Sequence, residues 1–134
     1  MTQAHIAEDV FYRTMKSMLS KKWIKVHGVD RNIKAFKWSE YDVVAVNGTE
    51  IVVTEVKTKL KDADVKDFLQ RKLPQFKIDF PKYADYKVYG GVAGVAVPNH
   101  VERYAENQGL FVFTQHGEHS AMIANSPDFK PKAF

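Results

Sequence analysis

A chain of 134 residues with 45% hydrophobic and 27% charged residues reads as one globular domain, residues 1–134, and excludes a disordered or fibrous protein. It has no cysteine, which excludes disulfides and thiolate metal sites, and no apolar run approaches the roughly 20 residues of a membrane span. The net charge of +4 suits a nucleic-acid partner without singling one out; the missing cysteines and basic-then-apolar leader point to the cytoplasm.

The first predicted element is a helix from about His5 to Lys22. Ile6, Val10, Phe11, Met15, Met18 and Leu19 recur at helical spacing, with Glu8, Asp9, Arg13 and Lys16 on the other face. Trp23 to Val29 alternates and predicts a half-buried strand. Gly28 and Asp30-Arg31-Asn32 predict a turn, and Ile33 to Trp38 a second strand. Two apolar, β-branched runs then flank Asn47-Gly48, a strong hairpin signal. Tyr41, Val43, Ala45, Val52, Thr54 and Val56 are expected on one face, with Val44, Val46, Ile51 and Val53 on the other. Strands apolar on both faces need cover on both sides, so an α/β sheet flanked by helices is expected.

Asp62-Ala-Asp64 predicts a helix start, and Val65, Phe68, Leu69, Leu73, Phe76 and Phe80 carry its apolar stripe to about Asp79. Pro74 lacks the donor for the Gln70 carbonyl and predicts that the helix kinks or divides. Tyr86 to Val97 reads as a buried strand whose glycines mark close packing. Pro98 opens a short helix closed by Gly109, and Leu110 to Phe113 is the next strand, completing a βαβ unit. A last strand is expected over Ser120 to Ala124, with Phe129 and Phe134 docking the tail.

The hairpin's outer ends carry Glu40, Asp42, Glu55 and Lys57, charges out of place in a buried sheet. A loop of Asn47-Gly48 alone sets Asp42 opposite Val53 and Glu40 opposite Glu55. A loop that also takes in Thr49 and Glu50 sets Asp42 opposite Glu55. Either even-length loop puts the four charged residues on one face, and opposed residues sit about 5 Å apart. Carboxylates that close repel unless a cation lies between them. Oxygen ligands without cysteine favour Mg²⁺, with Mn²⁺ as substitute, and such sites typically act on phosphates. Lys57 would then sit beside the attacking water, and the reaction would be phosphodiester hydrolysis. The competing reading is a salt-bridge ladder at the solvated end of two strands.

Asp42, the apolar strand, Glu55-Val56-Lys57 and the following helix and βαβ unit resemble the PD-(D/E)XK nuclease superfamily, the restriction-endonuclease-like fold shared with Holliday-junction resolvases. Glu40-Tyr41-Asp42, Lys87-Val-Tyr-Gly-Gly-Val-Ala-Gly94 and Gln108-Gly-Leu-Phe-Val-Phe113 are similar to an uncharacterised prokaryotic family of that superfamily. The likeness runs from about Glu8 to the C-terminus. It implies a mixed central sheet with helices on both faces, metal bound by Asp42 and Glu55, and water assisted by Lys57. It also implies an acid from the first helix, Glu8 or its rival Asp9; Glu40 completes the candidate metal set. Tyr41 stands where the superfamily usually has proline. No Gln-x-x-x-Tyr motif comes after the next helix, which argues against the RecB-like exonuclease branch.

Lys59 and Lys61 are candidate phosphate contacts beyond the site, or solvated strand-end charges. Arg71, Lys72 and Lys77 read as the wet face of the next helix, and His116 and His119 as surface histidines. Gln115 is a candidate to line the cleft. Two functions are open: a Mg²⁺-dependent endonuclease, acting on DNA in preference to RNA, or a catalytically silent nucleic-acid-binding or protein-interaction module on the same fold. Cutting two strands would call for a homodimer.

Overall fold

The apolar stripe on the first segment folds as predicted into α1 (Gln3–Ser20). Ala7, Val10, Phe11, Met15 and Leu19 are buried along it. The computed structural model describes residues 3–35 and 39–134. No helix among the described residues is long and apolar enough to cross a membrane.

Trp23 to His27 is not a strand. Trp23 and Ile24 both donate backbone N–H groups to the Leu19 carbonyl, so the segment closes the helix while Ile24 and Val26 fill the core beneath it. Its alternation therefore reflects packing under a helix end. The first strand, β1 (Gly28–Lys34), instead runs through the residues expected to turn. Asp30-Arg31-Asn32 has turn chemistry, but α1 supplies partners: Arg31 lies 3.1 Å from Asp9 and 4.0 Å from Glu8. Residues 36–38, the end of the second predicted strand, lie outside the described residues.

β2 (Glu40–Val46) pairs antiparallel with β1 and with β3 (Glu50–Lys59). Val46 faces Ile51, so the longer even loop is the one formed. Asn47 fixes it, its side-chain oxygen accepting from the N–H groups of Thr49 (2.9 Å) and Glu50 (2.7 Å).

The predicted faces hold with two exceptions. Val43, Ala45, Val52 and Val56 pack under α1, while Val44, Ile51 and Val53 pack on the opposite side. Tyr41, expected beside Val43, joins Val44's cluster, with its ring against Phe76 and Phe80. Glu40 correspondingly turns toward α1. Asn32, across the β1–β2 ladder, has φ 51, a left-handed conformation that breaks strand alternation. Ile33 and Tyr41, paired just beyond it, therefore share the face opposite α1.

Asp64 accepts the Lys61 N–H at 2.9 Å and opens α2 (Asp62–Asp67). At Pro74 the helix divides, as expected, without leaving the helical path. The helix widens into a π turn at Phe68–Lys72, with the Leu73 N–H reaching back to the Phe68 carbonyl, and resumes as α3 (Leu73–Asp79). A short 3₁₀ turn, Pro81–Tyr83, leads to β4 (Lys87–Ala96), which runs parallel to β3. Gly90 permits close packing on β4: a Cβ there would lie 2.7 Å from a Leu110 methyl and 2.8 Å from a Leu73 methyl. α4 (Asn99–Asn107) ends at Gly109, whose φ of 83 needs glycine. β5 (Phe111–His116) is parallel to β4 and longer than predicted, and β6 (Ser120–Ile123) closes the edge antiparallel.

The sheet order is β1-β2-β3-β4-β5-β6. α1 covers one face, with the tail's Phe129 edge-on to Trp23 and Phe111. α2, α3 and α4 cover the other, where the Phe134 N–H donates to the Val88 carbonyl at 2.7 Å. This is the mixed α/β sheet with helices on both faces that the chain's strand pattern predicts.

Candidate active site

The β2–β3 ladder stops at Val43 and Thr54, one pair short of Asp42 and Glu55. Its next rung is made by a side chain: Asp42 Oδ2 accepts the Val56 N–H at 2.8 Å. Asp42 and Glu55 are only 8% and 7% exposed. The two carboxyls lie close enough to disfavour each other's charge, so the pair favours a neighbouring cation. Burial first, then the neighbouring Glu55 carboxyl, holds the Asp42 carboxyl well above the usual carboxylate range. The Val56 N–H and the Lys72 ammonium pull the other way.

The cation on this pair is one that the helical periodicity assigns to solvent. Lys72 Nζ lies 2.7 Å from Glu55 Oε2 and donates to the Glu40 carbonyl oxygen at 2.9 Å. The π turn places it there. Leu73 rather than Lys72 takes the buried place on the helix, together with Phe68 and Phe76, leaving Lys72 beside the ends of β2 and β3. The sequence signal is Pro74, two residues on, which by itself predicts only a kinked or divided helix.

Glu8 and Glu40 meet on the α1 side, around a residue whose chemistry predicts a turn. With its amide nitrogen turned toward them, Asn32 donates to Glu8 Oε2 at 3.0 Å and to Glu40 Oε1 at 3.2 Å. Asp9 instead pairs with Arg13 at 2.8 Å and with Arg31 at 3.1 Å. The four predicted acids thus form two pairs, Asp42 with Glu55 and Glu8 with Glu40. Among the described residues, no three His, Cys, Asp or Glu side chains are grouped to hold a metal ion.

Lys57 follows Glu55 by two residues on the same strand and is exposed, and its charge is felt at Asp67 of α2. Lys59 and Lys61 are also exposed and line a recess with Pro98 and His100 at the start of α4. Arg71 is held by Asp67 at 2.9 and 2.8 Å. His116 and His119 lie exposed at the β5–β6 turn. Gln115 faces Ile6 and Val10 of α1, away from the Glu55–Lys72 contact.

Chemically, Asp42 and Glu55 offer two adjacent carboxylates whose burial leaves them dependent on a proton or a cation. An all-oxygen pair at a strand end fits a hard divalent ion.

No protein-family model matches the chain, and no curated protein matches it either. Two solved structures share its fold. A repair endonuclease from Pyrococcus abyssi superposes with a TM-score of 0.52 at 19% identity, covering 84% of this chain and 46% of the other. EndoMS, in a structure of its complex with dsDNA, superposes with a TM-score of 0.54 at 17% identity, covering 87% of this chain and 46% of the other. The chain spans less than half the length of each. What the likeness establishes is the architecture: a mixed six-stranded α/β sheet of the kind found in these endonucleases.

Proposed function

We propose that the chain is a divalent-cation-dependent nuclease of the PD-(D/E)XK type that cleaves phosphodiesters in DNA. The observation that carries this reading is the buried Asp42–Glu55 pair. Two carboxylates facing each other in a nine-tenths buried setting cost stability, and that cost has a use if the pair holds a cation.

Asp42 and Glu55 would bind the ion. Asp42 is aimed by the Val56 N–H, which leaves its other oxygen for a ligand. When bound, the ion supplies Lewis acidity toward the phosphodiester and lowers the pKa of its water. Lys57, two residues beyond Glu55, orients the attacking water and offsets charge developing on the phosphate. Glu8 and Glu40, joined through Asn32, border the site on the α1 side. Lys59 and Lys61 extend a basic track along which the phosphate backbone would run. DNA is favoured over RNA because both structural neighbours are repair endonucleases or DNA complexes by name.

The test is cleavage of single-stranded, double-stranded and branched DNA, and of RNA, with Mg²⁺ or Mn²⁺. Wild type should cut DNA only with the ion. Glu55→Gln and Lys57→Ala should not, while keeping the wild-type circular dichroism spectrum.

A second reading, a silent DNA-binding or interaction module, draws on the Lys72 ammonium already seated on Glu55. It predicts DNA binding in a gel-shift assay with no cleavage under any divalent ion.

A further inference from the structure

We infer that Lys72 is the resident counter-cation of the Asp42–Glu55 pair and that a divalent ion must displace it to load the site. The inference rests on the reading of that pair as a metal site and adds how entry to it is controlled.

Two oxygens converge on the Lys72 ammonium, Glu55 Oε2 at 2.7 Å and the Glu40 carbonyl at 2.9 Å. A carboxylate and a backbone carbonyl are also the donors that a hard divalent ion takes. An ammonium in contact with Glu55 Oε2 blocks that oxygen and repels a second cation brought up to it. The contact is largely shielded from water, with the two side chains 17% and 9% exposed, so solvent screens the competition weakly.

The neighbouring cations are held elsewhere or exposed. Arg71 is held by Asp67 in a two-pronged pair, and Lys57 is exposed. The Lys72 backbone is anchored: Leu73 and Phe76 are buried beside it, and Tyr41, whose hydroxyl donates to Asp79 at 2.6 Å, packs edge-on against Phe76. What can move is the four-carbon stem. Lys72 therefore acts as a gate whose hinge is its own side chain. In the ion-free protein it lowers the cost of two buried carboxylates, and it must swing out for the ion to enter.

The experiment is a Mn²⁺ titration of the full chain without DNA, read by the electron paramagnetic resonance of free Mn²⁺. Lys72→Met should tighten Mn²⁺ binding by about tenfold or more, whereas Lys66→Met, which removes an exposed charge on α2, should change it less than about threefold. The gain should vanish in Lys72→Met/Glu55→Gln, and Lys72→Arg should bind like wild type. If Lys72→Met binds no tighter than wild type, the gate is refuted while the metal site stands. A gain matched by Lys66→Met shows a general charge effect and also refutes the gate. If neither wild type nor any variant binds Mn²⁺, both the metal site and the gate fall. Should Lys72→Met not fold, wild type still decides. The ¹³Cε signal of Lys72, assigned by its loss in Lys72→Arg, should move as Mg²⁺ is added. A still signal, with carboxyl resonances of Asp42 and Glu55 shifting, overturns the displacement.

Discussion

The two ends of the β2–β3 hairpin solve the same problem in opposite ways. At the turn, polar groups are satisfied by residues a few positions away: Asn47 accepts from Thr49 and Glu50, and its amide donates to the Glu50 carboxylate at 3.0 Å. At the other end the ladder stops early, and two carboxylates are buried whose cation, Lys72, comes from a separate helical segment. The turn is built for stability with local parts. The acidic end accepts an electrostatic cost and depends on tertiary structure to bear it. That contrast separates a cluster satisfied by local partners from one that depends on a distant side chain.

The largest expected effect lies at the acidic end. Glu55→Gln should lower divalent-dependent cleavage by about a thousandfold or more, because it removes a ligand of the ion that performs the chemistry. Asp42→Asn should do the same, yet it should raise the stability of the ion-free protein at pH 8 by about 1 kcal/mol, since it removes a charge from a buried like-charged pair. Urea melts beside cleavage rates would display the two opposite signs.

pH separates the ends next. The folded protein holds the Asp42 carboxyl above its ordinary value of 3.8, so Asp42 binds its proton more tightly folded than unfolded. That contribution to stability is full below 3.8 and is lost as pH rises through the raised value. Ion-free urea midpoints should therefore fall across that window. Asp42→Asn should flatten the dependence, and Mg²⁺ should restore stability at the upper end.

At the turn, Asn47→Ala should cost about 1 kcal/mol through lost side-chain-to-backbone hydrogen bonds and leave cleavage per folded molecule unchanged. If it also weakened Mn²⁺ binding, the two ends would not be independent. The smallest effect belongs to the basic track. Lys59→Ala with Lys61→Ala should reduce the salt dependence of DNA binding by about one phosphate contact per lysine and leave Mn²⁺ affinity as it is.

Much of this contrast is legible in the amino-acid sequence. Alternation and Asn47-Gly48 place the hairpin and gather the acids at its outer end, because these depend only on neighbours along two strands, but they leave the loop length open; the register that brings Asp42 to Glu55 appears only in the structure. β1 escapes that logic. Asp30-Arg31-Asn32 has turn residues, and only contact with Glu8 and Asp9 on α1 reveals why it stays extended. Across the ladder from the left-handed Asn32, Tyr41 and Glu40 lie on the faces opposite those expected, because the strand alternation on which the assignment rests breaks at that point. Lys72 is hidden for a related reason. Helical periodicity puts it in water, and the π turn before Pro74 changes the register on which that periodicity depends. In each case a local backbone irregularity, rather than a change in hydrophobic pattern, moves a side chain into the site.

The central claim is that Asp42 and Glu55 hold a divalent ion. Anomalous scattering from a crystal soaked in Mn²⁺ tests it most directly. The account predicts a peak in contact with both carboxylates, with the Lys72 ammonium drawn away from Glu55. A soaked crystal with no peak at that pair, and Lys72 still on Glu55, would contradict it.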